Sequence, residues 1–316
     1  MKEKTFKKIV ALILCGSIFL GISATAFATE SSDSNLLSIA QDTISEEVYT
    51  NEFGAVITTY TNLDTFIDTV HLTNPEFSDY DIAIFILQYT GQSYEGLPEG
   101  EILNILTLNN LTTSSSYITV KEDGSTTISN DDVVLYDDWL SNDGYMKITT
   151  NYSYIKTVGR EKYYQVMGMA TWLKYPAMAL QDTFVVGTNG TFDASYSEYA
   201  NVNQRFKCLN SCETPFTYLT RSVTRTNPTD LDLSLTYKSF VPVMNFIPHG
   251  PRCNSCPGPS VHDMFHAYLR YGVLADESIN IQAGYAHKTF GIGNISVGID
   301  ATGAPNFSIG ITGTIS

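Results

Sequence analysis

"YMKITTNYSYIK", Tyr145 to Lys156, and "KYYQVMGMATWL", Lys162 to Leu173, decide the fold class. Both are rich in Tyr, Thr, Val and Ile, side chains that suit a pleated, half-buried surface. Working outward, the same texture returns in "DTFVVGTNGTFDASYSEY", "PFTYLTRSVTR", "LDLSLTYKSFVPV", "FHAYLRYGVL" and "SINIQAGYAHKTF", with Asn, Gly, Asp and Pro turns between them. Short strands punctuated in this way predict a mainly β chain, with antiparallel sheets in a β-sandwich or barrel. Within it, "VVGTNGTF" is the strongest hairpin signal, because Asn189-Gly190 can supply the positive φ angles of a two-residue turn. At the end of the chain, Ile295, Val297 and Ile299 are expected to pair as a hairpin with Phe307, Ile309 and Ile311 across an Asp-Ala-Thr-Gly turn region.

Toward the N-terminus the period changes. From Leu36 to Leu111 the pattern is partly helical. In "NPEFSDYDIAIFILQYTGQ", Asn74 and Pro75 read as cap and first turn, and Gly91 closes the segment. In "LPEGEILNILTLNNL", Pro98 opens a second helix with Ile102, Leu103, Ile105 and Leu106 as its apolar stripe. The expected organisation is a leader over 1–28, a partly helical region over 29–114 and an antiparallel β domain over 115–316.

The leader is read from "MKEKTFKKIVALILCGSIFLGISATAFATE". Lys2, Lys4, Lys7 and Lys8 precede an apolar run from Ile9 to Ile22, and Ala26-Phe27-Ala28 supplies the small residues of a cleavage site. These features predict a secretory signal peptide cut after Ala28, and a secreted, extracellular product with no transmembrane segment in its mature chain. Cys15 follows Leu14 where lipidation needs a small residue, so a lipid anchor is disfavoured. The chain of 316 residues carries a net charge of −15, which argues against a nucleic-acid partner and against anionic lipid headgroups. Hydrophobic residues make up 43%, enough for a folded core rather than a disordered chain.

"SNDGYMKITTNYSYI", "GMATWLKYP" and "GYAHKTFGIGNISVGID" resemble an uncharacterised group of exported Gram-positive bacterial proteins of unknown function. The resemblance rests on strand and turn motifs over about two thirds of the mature chain, and it implies architecture without an activity.

Beyond the leader the only cysteines are Cys208, Cys212, Cys253 and Cys256, two close pairs. In an exported protein an even count favours disulfides. A four-thiolate zinc site is the alternative, and zinc is the one cofactor the sequence suggests; a redox-active Cys253/Cys256 pair ranks last, since it lies in a Pro-rich loop. Both leading readings clip the loop after "NVNQRF" to the loop after "MNFIP". His262 and His266 could share a helix face, but "MFHAYLRYGVL" reads better as a strand, where residues four apart lie about 13 Å from one another. They are therefore expected at a strand edge, with no metal between them.

"SNDDVVLYDDWLSNDG" gathers Asp131, Asp132, Asp137, Asp138 and Asp143, yet lacks the alternating spacing of a calcium loop. Trp139 with Asp137 and Asp138 is the expected ligand-binding spot, whereas Trp172, in an apolar strand, is expected in the core. No nucleophile elbow, phosphate loop or dinucleotide fingerprint appears, and no catalytic residue is assigned. The expectation is a non-enzymatic protein that binds at the cell surface or takes an extracellular ligand. A membrane-active protein using the C-terminal hairpin comes second and a metal-dependent hydrolase third. The hairpin's arms are short, about six alternating residues against the roughly nine to eleven of a spanning strand.

Overall fold

The computed structural model describes residues 32–51, 55–121, 126–129, 144–174, 181–193, 199–208, 221–225, 239–240, 243–245, 260–276, 279–288 and 307–311. At its centre are β5 (Gly144–Val158) and β6 (Glu161–Lys174), an antiparallel pair. On β6 every residue from Tyr163 to Ala170 is buried. A strand buried on both faces must lie in the middle layer of three.

That layer is a long first sheet. β1 (Ser45–Thr50), β2 (Val56–Thr61) and β3 (Asn110–Val120) lead to β5 and β6, followed by β13 (Ser260–Ala275), β9 (Tyr199–Cys208) and β10 (Arg221–Arg225). β4 (Thr126–Ser129) pairs with β3, and β8 (Thr191–Phe192) with β13. Neighbours are antiparallel throughout. The second sheet is built on β7 (Gln181–Thr188) and β14 (Ile281–Lys288). β11 (Ser239–Phe240) and β12 (Val243–Asn245) join β7, and β15 (Phe307–Ile311) joins β14 in parallel. The mainly β, sandwich-like fold expected from the strand texture is the one observed, and among the described residues the strand order of the first sheet runs from β1 to β10 without closing into a barrel.

Between the sheets, Val166, Ala170 and Trp172 of β6 and Leu269 and Tyr271 of β13 pack against Phe184, Val186, Ile281 and Ala283. Trp172 is 2% exposed, as its apolar strand led one to expect. The Tyr271 hydroxyl donates to the Val186 carbonyl at 2.7 Å, so its polar end is satisfied inside the core. The sheets come closest at Gly168, where a Cβ would stand 2.5 Å from Val186 Cγ2.

Helices cover the other face of the first sheet: α1 (Ser32–Thr43), α2 (Leu63–Thr73), α3 (Asp79–Tyr89) and α4 (Glu99–Leu103), the last running into a 3₁₀ turn over Asn104–Thr107. Phe66, Ile82, Ile86, Ile102 and Ile105 share one cluster with Tyr60, Leu111 and Met167 of the sheet. Rings of Phe66, Phe85 and Tyr89 stack at 5.4 and 5.8 Å, and Tyr89 meets Tyr60 edge-on at 5.9 Å, joining α2 and α3 to β2. The helical region and the β region thus share one core.

Two local expectations are corrected. α3 does not begin at Asn74-Pro75: the Asn74 N–H bonds to Val70 O at 2.8 Å and closes α2, while Ser78 caps α3. Ser78 and Asp81 form a reciprocal capping box, with Asp81 N–H to Ser78 Oγ at 3.2 Å and Ser78 N–H to Asp81 Oδ2 at 3.0 Å. Nor does Asn189-Gly190 close a hairpin. β7 and β8 belong to different sheets, and neither residue has a positive φ. Gly190 is needed for closeness instead, since a Cβ there would lie 2.0 Å from Val273 Cγ1 and 2.8 Å from the Leu274 carbonyl oxygen. Of the expected C-terminal hairpin, Ile295, Val297 and Ile299 lie outside the described residues, and Phe307–Ile311 pairs with β14.

Candidate functional site

The helix-facing side of the first sheet is only partly apolar. Lys147 on β5 is opposite Thr171 on β6, and Thr171 is opposite His266 on β13. In the next row Thr149, Met169 and Tyr268 are paired in the same way. Residues of the loop between α3 and α4 line, together with these rows, a half-open cleft of about 330 Å³. That volume is at the lower end of the range for small-molecule sites.

The loop is built to stay where it is. α3 ends with the Gly91 N–H bonded to Gln88 O at 3.0 Å and the Gln92 N–H to Leu87 O at 2.8 Å. With Gly91 at φ +73°, this is a Schellman stop that requires a residue free of a Cβ penalty. Gln92 is then held by the sheet: Asn151 Nδ2 donates to Gln92 Oε1 at 2.8 Å, and Gln92 Nε2 donates to Thr90 Oγ1 at 3.0 Å. A turn closed by Leu97 N–H to Tyr94 O at 3.1 Å carries Glu95 at its corner, and Leu97 packs against Met169, Tyr199 and Tyr268.

Chemically, the lining combines polar Thr171 and His266 with two charged residues, Lys147 and Glu95. Thr171 Oγ1 and His266 Nδ1 lie 2.7 Å apart, and His266 is 5% exposed. Lys147 Nζ donates to Gly91 O at 3.2 Å and stands 5.9 Å from the Tyr117 ring centroid, so the ammonium is fixed on the sheet side. Glu95 and Ser93 of the loop also line the cleft, and Met169 and Leu173 add apolar side chains to the lining. Such a set can hydrogen-bond a small polar molecule.

Next to the cleft, Arg270 spans both carboxylate oxygens of Glu101, Nε to Oε2 at 2.7 Å and Nη2 to Oε1 at 2.8 Å. The Tyr268 hydroxyl donates to Glu101 Oε2 at 3.3 Å. Burial, and secondarily the charge of Glu101, push the Tyr268 phenol well above its ordinary range.

His266 is where the sequence reading and the site meet. β13 is a strand through both His262 and His266, as expected, so the pair is not on one helix face. A bulge between His262 and Met264 also breaks their alternation: four residues apart on β13, they have β9 partners, Phe206 and Asn203, only three apart. His266 is not a strand-edge residue, however; β13 lies between β6 and β9, and the ring is buried in the cleft floor. Cys208 ends β9 opposite Ser260, so the chain leaves β9 and enters β13 at the same end of the sheet. Cys212, Cys253, Cys256, Asp137, Asp138 and Trp139 lie outside the described residues. Lys147, Thr149, Thr171, Ser93 and Glu95 were not singled out in the sequence; the alternation of Lys147 and Thr149 on one strand was the available signal.

Among the described residues no helix is long and apolar enough to cross a membrane, and no group of three or more His, Cys, Asp or Glu side chains could hold a metal ion. No protein-family model, curated protein or solved structure matches the chain.

Proposed function

We propose that the chain is an exported, non-enzymatic binding protein that takes a small polar extracellular ligand in the cleft between the α3–α4 loop and the first sheet. The cleft carries this reading: its loop is pinned before any ligand arrives, which lowers the ordering cost of binding. The leader ending at Ala28 would deliver the protein outside the membrane, and the cysteine-bearing loops at the Cys208 end would be clipped by disulfides.

The test is a protein-observed NMR screen, read on the histidine ring resonances, of the protein as exported against a library of small water-soluble compounds. Thr171→Val serves as site control, because it keeps the strand and the volume and removes one floor hydroxyl. The expected result is at least one compound that shifts the His266 ring resonances and binds about tenfold more weakly to Thr171→Val. A library from which nothing moves His266 would overturn the proposal.

A further inference from the structure

We infer that Asn189-Gly190 is a covalent modification site, where water converts the asparagine to aspartate and isoaspartate through a cyclic imide, and that the joint between the two sheets gates the reaction. The cleft plays no part in it. Asn189-Gly190 is the one Asn-Gly pair in the sequence. The Gly190 nitrogen attacks the side-chain carbonyl carbon of Asn189 and gives up its proton. A new N–Cγ bond closes the ring, the Cγ–Nδ2 bond breaks, and Nδ2 leaves as ammonia. Water then adds to either ring carbonyl, giving aspartate or isoaspartate with no change of oxidation state. Glycine favours ring closure because no side chain shields its nitrogen and its backbone turns freely.

In the folded protein that freedom is withdrawn from two sides. Asn189 Oδ1 accepts from the Asn280 N–H at 2.8 Å, and the Asn189 N–H donates to the Asn280 carbonyl at 3.3 Å. Side chain and main chain of Asn189 are therefore both tied to the residue that leads into β14. Gly190 is wedged against Val273 and the Leu274 carbonyl of β13. β7 ends at Thr188 in the second sheet and β8 begins at Thr191 in the first, so the peptide between Asn189 and Gly190 is clamped at the crossing from one to the other. Bringing the Gly190 nitrogen onto Cγ means turning that peptide and swinging the Asn189 side chain off Asn280. Close packing leaves no room for the turn while both clamps hold. The reaction thus runs through the open joint, and its rate counts how often the joint opens.

Peptide mapping by mass spectrometry tests this on exported protein aged at mildly alkaline pH, native in one arm and held in denaturant in the other. Trypsin releases the site in the segment from Tyr175 to Arg205, where Asn201 and Asn203, followed by Val202 and Gln204, serve as internal references. In denaturant, Asn189 is expected to convert ahead of both references. In the native state its conversion should be about a hundredfold slower or more, the fraction of time the joint stands open. Urea below the unfolding midpoint should speed the native reaction. Val273→Ala, which trims the wall against Gly190, should speed it several-fold while the circular dichroism of the native fold is retained. Equal rates in the two arms would overturn the gate, as would a native rate indifferent to both urea and Val273→Ala. An Asn189 that outlasts its references in denaturant would overturn the site itself.

Discussion

Arg270 and Glu101 make a two-point contact across layers, from β13 to α4, with the two side chains 7% and 10% exposed. A bidentate pair of this kind fixes orientation as well as distance, so it sets how α4 sits on the sheet beside the cleft.

Removing one member should therefore leave a buried charge without its partner. Glu101→Leu is expected to cost about 3–5 kcal/mol in a denaturant melt, and Arg270→Met a similar amount. The double variant Glu101→Leu with Arg270→Met should recover much of that loss, since two apolar groups need no pairing. Additive losses in this double-mutant cycle would mean that the pair is not coupled.

Gly168 predicts a packing defect of the opposite kind. Gly168→Ala puts a methyl within 2.5 Å of Val186 Cγ2, with the Phe184 ring close behind, and should cost about 1–3 kcal/mol. Combining it with Val186→Ala should relieve part of the strain. A Gly168→Ala protein as stable as the parent would contradict the close approach of the sheets.

Alkaline pH should unfold the protein through its buried tyrosines. Burial raises the phenols of Tyr268 and Tyr271 above the ordinary value near 10. The unfolded chain then loses those protons first, so stability is full below about pH 10 and declines as pH rises from there toward the folded-state values. The slope is about 1.4 kcal/mol per pH unit for each such tyrosine. Ultraviolet titration should show these phenols ionising together with loss of structure; smooth ionisation of all tyrosines in the folded state would refute this.

For the cysteines the expected outcome is two disulfides among Cys208, Cys212, Cys253 and Cys256. Native exported protein should resist thiol alkylation until it is reduced, and its intact mass should fall short of the reduced value by four hydrogens. One equivalent of zinc with four thiols alkylatable after chelation would establish the metal knuckle instead.

The strand texture from Tyr145 onward made the sheets legible, and Trp172 could be placed in the core from its apolar neighbours. The site was another matter. At the turn, Val158 pairs with Glu161 and Thr157 with Lys162, and that register continued would set Lys147 opposite Trp172. A bulge between Tyr154 and Lys156 shifts it, so that Lys147 is opposite Thr171. One inserted residue thereby decides which face each later side chain takes, and no composition or period reports it. Likewise, His266 reaches Thr171 only because β13 inserts between β6 and β9, a non-local choice that local preferences do not encode.

The crossing at Asn189-Gly190 also bears on the order in which the molecule can assemble. Gly190 nests against Val273 and Leu274, and Asn189 exchanges hydrogen bonds with Asn280, so the joint between the sheets is completed by residues near the end of the chain. Thr171 and His266 are separated by 95 residues in sequence, and β6 waits equally long for its neighbour. A ribosome delivers the N-terminal helices and β1 to β6 well before β13. Until β13 docks, the edge of β6 and the apolar face meant for the second sheet remain uncovered, and slow folding with a need for protection from aggregation follows from that topology.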